Sequence, residues 1–178
     1  MAFGSSSAIF QYVAKNVLGV FVQSNVAPTG MSSTGFLGDT MKFALYGNSG
    51  TPDKTVATAV LCSYNGSASQ WVTANEVTGT GYTAGGNTVP ATKAWATDAT
   101  AGPCFTSSGA MTWTSATITA YGGLLYDASV TAAGNFAANQ GVCFNSFGGS
   151  AQSVSGGTFT VQWATAGSTA NTIFNVSV

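Results

Sequence analysis

Apolar and polar residues alternate with a period close to two along most of the chain, which is the signature of half-buried β-strands. Met41, Phe43 and Leu45 alternate with Lys42, Ala44 and Tyr46 and lead into the turn-rich GNSGTPD of Gly47 to Asp53, so a half-buried strand ending in a turn is predicted there. Ile118 to Tyr126 (ITAYGGLLY) reads as one strand. One face carries Ile118, Ala120, Gly122, Leu124 and Tyr126, and the other Thr119, Tyr121, Gly123 and Leu125. Val142 to Asn145, Phe159 to Trp163 and Ile173 to Val178 read as further short strands, separated by loops such as SFGGSAQSVSGG.

Helical patterning is weak. Ile9 to Phe21 mixes periods, and its β-branched and aromatic residues favour a strand or an irregular arm. Ser69 to Val77 supports at most one short helix, with Ser69 as its cap and Val72 and Thr73 diluting the propensity. Short strands with frequent turns in a 178-residue chain predict one all-β domain, an antiparallel sandwich or a barrel. Such folds guard their edge strands with charges or prolines. This chain has few of either, which favours edges covered by a partner subunit.

Charge changes the picture most. The chain has four lysines, five acids, and neither arginine nor histidine. It therefore lacks the usual proton shuttle and the preferred clamp for phosphate and carboxylate. Lys15, Lys42, Lys54 and Lys93 are scattered and the net charge is -1, so no basic stripe exists for nucleic acid to follow. Eleven phenylalanines, six tyrosines and four tryptophans supply a core and argue against disorder. Val17 to Val22 is far short of a membrane span, and Lys15 follows Ile9 and Phe10 instead of preceding an apolar run as in a secretory signal; synthesis in the cytosol is expected. A neutral exterior rich in Ser, Thr, Gly and Ala suits a protein packed against neighbours.

Candidate chemistry is sparse. Cys62, Cys104 and Cys143 are odd in number and widely spaced, and read as small buried hydrophobes. Asp39, Asp53, Glu76, Asp98 and Asp127 stand beside turn-forming residues, where acids face water or cap loops. No enzyme activity, cofactor or metal is expected. Trp113 and Trp163 lie in strand-like segments and read as core, whereas Trp71 and Trp95 lie near loops and are open to a sugar-stacking role.

The run GTGYTAGGNTVPA, Gly79 to Ala91, poses the sharpest local question. It has neither the lysine of a P-loop nor a following helix, since Val89 and Pro90 oppose one. Its four glycines are therefore expected at positive φ in turns or a bulge, with Tyr82 packed over the core.

FALY at Phe43 to Tyr46, EVTGTGYTAGG at Glu76 to Gly86, WTSATITAYGGLLYD at Trp113 to Asp127 and FGGSAQSVSGGTFTVQW at Phe147 to Trp163 occur in this order. In that combination the chain resembles small virion structural proteins of tailed bacteriophages, over roughly Asp39 to Trp163. It departs from them at Ser146, where an acid usually precedes the FGG step, and at Tyr121, where a basic residue usually follows the ITA step. Met1 to Phe36 is also longer than usual.

The resemblance implies an assembly role without chemistry: a jelly-roll β-sandwich over residues 37–178, with residues 1–36 as an N-terminal arm or first strands. It implies a capsid decoration or cement protein on the exterior of the virion, a trimer bridging capsomers of the major capsid protein. A tail or neck component, and a carbohydrate-binding module on the virion, are the alternatives. Phe3, Ile9, Phe10 and Tyr12 are the expected partner contacts if exposed, and core residues if not.

Overall fold

A computed structural model describes residues 7–13, 37–90, 92–98, 102–166 and 169–175. The fold is all-β, and its paired strands are antiparallel. In chain order the strands are β1 (Ala8–Ile9), β2 (Met41–Tyr46), β3 (Asn87–Thr88), β4 (Lys93–Asp98), β5 (Gly102–Ser107), β6 (Met111–Ala120), β7 (Gly122–Asp127), β8 (Gln140–Ser146), β9 (Gln152–Val161), β10 (Ala164–Ala166) and β11 (Thr169–Asn175). They form a five-stranded sheet in the order β1-β8-β7-β2-β3, a four-stranded sheet β10-β11-β5-β4, and a two-stranded ribbon β6-β9. Besides the strands, residues 11–13 are helical, where a strand or irregular arm is expected from the sequence, and a short helix α1 (Ala59–Cys62) and a 3-10 turn at Thr73–Asn75 follow.

The five-stranded sheet is covered on both faces. Ala44, Leu124 and Phe144 are register partners across β2, β7 and β8, and beside them lie Tyr46, Phe10 and Trp71. Trp71 meets Tyr46 edge-on at 5.0 Å and stacks on Phe144 at 5.9 Å, while Phe10 lies 5.6 Å from Phe144. Phe43, Leu125 and Cys143 point the other way, where Phe43 meets Trp163 edge-on at 5.3 Å. A single apolar core runs from Phe10 to Ile173 through the strands of all three sheets. Burying each of its large side chains contributes about 1.5–3 kcal/mol.

Two sequence expectations are corrected. β2 is not half-buried: Ala44 and Tyr46 are as enclosed as Phe43 and Leu45, because Trp71 and its neighbours close the second face. The Ile118 to Tyr126 run is not one strand. It breaks at Tyr121, so β6 stays in the ribbon and β7 enters the five-stranded sheet, where all six residues are buried. Ser69 to Val77 holds one 3-10 turn, Thr73–Asn75, within the expected limit of one short helix, and a helix that the sequence pattern did not point to lies at Ala59–Cys62.

The N-terminal residues belong to the same packing. Phe10 is fully buried and its N–H donates to the Val142 carbonyl at 3.1 Å. Among the described residues, no helix is long and apolar enough to cross a membrane.

Candidate functional site

The glycine-rich run does enclose an anion, but the anion is the protein's own Glu76. Gly79, Gly81, Gly85 and Gly86 all adopt positive φ, as their placement in the sequence predicts. The turn at Gly85 aims its N–H at Glu76, 2.9 Å from Oε2 and 3.2 Å from Oε1. Tyr64 donates to Oε1 at 2.7 Å and Tyr82 donates to Oε2. The Tyr82 oxygen also accepts the Leu45 N–H at 3.0 Å, and Tyr126 donates to the Gly85 carbonyl at 2.8 Å. Burial, reinforced by Glu76, raises the pKa of Tyr82 and of Tyr64 above the ordinary phenol value. These phenols stay protonated and serve as donors.

The other acids divide by environment. Asp53 is exposed and caps its own loop, accepting from the Thr55 N–H at 2.7 Å and the Thr55 hydroxyl at 2.6 Å, as expected of an acid in a turn. Asp39, Glu76 and Asp127 are buried instead, which overturns the expectation of solvent-facing carboxylates. Asp39 and Asp127 are brought together at the start of β2 and the end of β7, closed off from solvent. The sequence signal that could have found these acids is their scarcity: in a chain with five, an acid set among apolar and aromatic neighbours is a candidate for the interior.

Cys62, Cys104 and Cys143 are buried free thiols, as expected. Burial pushes the Cys62 thiol up to about 11 and the Cys143 thiol up to about 12, far from the range of a reactive thiolate. Among the described residues no group of three or more His, Cys, Asp or Glu could hold a metal. Trp113 and Trp163 are buried as predicted. Trp71 is buried as well, between Tyr46, Phe10 and Phe144, and Trp95 alone of the four is exposed, at 48 %.

Of the four candidate contact residues, Phe3 lies outside the described residues. Phe10 is wholly enclosed in the chain's own core. Ile9 is half-buried on β1, and Tyr12 is half-buried and donates to the Asn135 carbonyl at 2.5 Å. The structure therefore brings Ile9, Phe10 and Tyr12 onto the five-stranded sheet, with no apolar patch formed by Phe10.

The accessible feature whose place sequence reasoning could not give is the unguarded sheet edge. The five-stranded sheet ends in two-residue strands, β1 and β3. In the four-stranded sheet, β10 has three residues and β4 carries Lys93 and Asp98 in its sequence. Short or charged edges resist pairing with other chains. In the ribbon, the free side of β6 is covered by the glycine run: the Thr117 N–H donates to the Thr80 carbonyl at 2.9 Å, and the Asn87 amide donates to the Thr112 carbonyl at 2.8 Å. Only glycine fits so close, since a Cβ on Gly79 would stand 2.0 Å from the Thr117 carbonyl oxygen.

Among the described residues, β9 has no such cover. Its ten residues, QSVSGGTFTV, contain no charge and no proline, and among the described residues they pair only with β6. A groove of about 340 Å³ runs beside it, lined by Phe147, Gln152, Val154, Thr158, Phe159 and Val161. Most of the strand is exposed, with Phe159 and Val161 turned into the core.

Fold and site together define an all-β protein of antiparallel sheets with buried polar clusters and, among the described residues, one long, neutral, uncovered edge. Comparison with known protein families, with curated proteins and with solved structures finds no match to this chain.

Proposed function

We propose that this chain is a non-enzymatic structural protein of a phage virion, a capsid decoration or cement protein that bridges neighbouring capsomers. In this reading its sheets form a jelly-roll sandwich, and it acts as a homo-oligomer, a trimer, on the exterior of the head, with the major capsid protein as partner. The observation that carries the reading is the uncovered edge of β9, a strand with neither charge nor proline to deter pairing. The sequence resemblance to small virion proteins and the low surface charge point the same way.

Mechanically, such a protein works by bridging. A shell filled with packed DNA carries outward pressure, and many identical bridges hold it even when each contact is modest, because a rigid unit engaging several sites converts later contacts into intramolecular ones. An uncharged edge suits this task, since strand addition supplies backbone hydrogen bonds without ion pairs to be screened.

The test is the copy number of the protein relative to the major capsid protein in purified particles, by quantitative mass spectrometry. Near-equal abundance supports a decoration role. A few copies per hundred moves the protein to the tail or neck, and absence from the particle overturns the assignment.

The exposure of Trp95 favours a second reading, a carbohydrate-binding module. Retention on a glycan array that is lost in Trp95→Ala is its expected signature, and uniformly negative arrays remove it.

A further inference from the structure

Asp39 and Asp127 form a second polar cluster, separate from the Glu76 network. Asp39 stands two residues before β2 and is 3 % exposed; Asp127 is the last residue of β7 and fully buried. Met41 and Asp127 are register partners and the Ala128 N–H donates to the Thr40 carbonyl, so Asp39, two residues before Met41, shares a face with Asp127 at the same end of the sheet. The Ser129 N–H donates to Asp127 Oδ1 at 2.9 Å, whereas among the described residues neither Asp39 Oδ2 nor Asp127 Oδ2 has a hydrogen-bond partner. Two buried carboxylates side by side, each with an oxygen that meets no donor, repel when both are ionised, so the arrangement favours one proton held within the pair.

We propose that Asp39 and Asp127 are a proton-closed latch: one proton, carried by Asp127 and donated to Asp39, ties the start of β2 to the end of β7, and losing it loosens that junction. Among the described residues, the neighbouring strands bring no cation to neutralise the pair. Across β2 the register partner of Asp127 is Met41, and Lys42, next along, points to the opposite face. Across β8 its partner is Gln140, whose amide nitrogen is engaged by the Ala59 carbonyl, the Cys62 sulfur and the Gly141 carbonyl. From the segment after β7 comes the backbone N–H of Ser129.

Burial, and then the Asp39 carboxylate, raise Asp127 to about 7, so the latch titrates near neutrality. An unfolded aspartate releases its proton near pH 4. Between about pH 4 and pH 7 the folded chain therefore holds a proton the unfolded chain lacks, and stability falls as pH rises through this window. The stabilisation is complete below the window and gone above it. This is opposite to the usual salt-bridged carboxylate, whose contribution is lost toward acid.

Two hydrogen bonds report on the junction: the Ala128 N–H to the Thr40 carbonyl at 2.9 Å, and the Thr40 N–H to the Ser129 hydroxyl at 2.7 Å. Hydrogen exchange on the full chain, corrected for intrinsic rates, is expected to show protection at Thr40 and Ala128 falling about tenfold or more between pH 5 and pH 8, the change set by one pKa unit or more of coupling. Amides at the centre of the β7–β8 pairing are expected to change little. In Asp39→Asn the side-chain amide replaces the shared proton as a permanent donor, and the pH dependence should shrink to less than about twofold. An unchanged drop in Asp39→Asn, or no drop in the wild type, overturns the latch. Carboxyl carbon NMR of the wild type decides independently of any variant: Asp127 titrating near 7 supports the proposal, and titration near 4 overturns it.

Discussion

Tyr82 donates its phenolic proton to Oε2 of Glu76 while accepting the backbone N–H of Leu45 at 3.0 Å. One oxygen thus joins the glycine-rich run to β2 and satisfies two buried groups, a carboxylate and an amide. Tyr82→Phe removes only that oxygen. It should lower stability in urea unfolding by about 2–3 kcal/mol, because a charge-assisted bond is lost and the Leu45 N–H is left without its acceptor. A change smaller than about 0.5 kcal/mol, the scale of an ordinary surface substitution, would mean the contact is incidental.

Tyr46 belongs to the same neighbourhood and should behave in the opposite way. Its hydroxyl is buried and has no hydrogen-bond partner, and burial with nearby Glu76 raises its pKa. An unpaired buried hydroxyl is a cost of folding. Tyr46→Phe keeps the ring against Trp71 and is expected to be neutral or to stabilise by up to about 1 kcal/mol in the same assay. A clear loss of stability would show that the hydroxyl has a partner in solution.

Gly86 and Gly148 share a left-handed backbone and differ in space. Both have positive φ, 67° and 84°. A Cβ on Gly86 would lie 1.9 Å from the Phe43 carbonyl oxygen, whereas one on Gly148 meets nothing within 4 Å. Gly148→Ala should cost only the left-handed penalty, about 1–2 kcal/mol. Gly86→Ala must displace β2 itself and is expected to abolish soluble expression or lower the melting temperature far more. Similar melting temperatures for the two variants would contradict the close approach.

The contrast between these sites explains what was legible in the sequence. Positive φ at Gly79, Gly81, Gly85 and Gly86 is a property of single residues, so composition and the neighbouring Pro90 were enough to anticipate it. The all-β class followed from period-two patterning for the same local reason. Asp39 is buried where the start of β2 meets the end of β7 at Asp127, remote in sequence, and Glu76 is buried among Tyr64, Tyr82 and a turn; neither leaves a local mark. The split at Tyr121 was hidden because alternation continues across it, while its backbone is pinned between Tyr46 and Phe147: its N–H donates to the Tyr46 carbonyl at 2.9 Å and its carbonyl accepts the Phe147 N–H at 3.0 Å. The exposed edge of β9 could be located only once the cover over β6 was known. Nothing in SVSGGTFTV distinguishes an open strand from a sheltered one.

That edge offers the most direct perturbation of the proposed assembly role. Ser155 is exposed in the middle of β9, and Gly156 beside it opens the strand further with a φ of 65°. Ser155→Lys places a charge where an incoming strand would have to desolvate it, the device natural edge strands use against pairing. Because Ser155 makes no core contact, the melting temperature should stay within a few degrees of the wild type, in keeping with the roughly ±0.5 kcal/mol of a surface change. Self-association in sedimentation velocity and attachment to purified shells should both be lost. Thr97→Lys, an exposed position on β4, whose edge already carries Lys93, serves as the control and should leave both unchanged. If Ser155→Lys assembles like the wild type, β9 is not the contact; if both variants fail equally, the effect is one of overall charge and the edge has no special part in it.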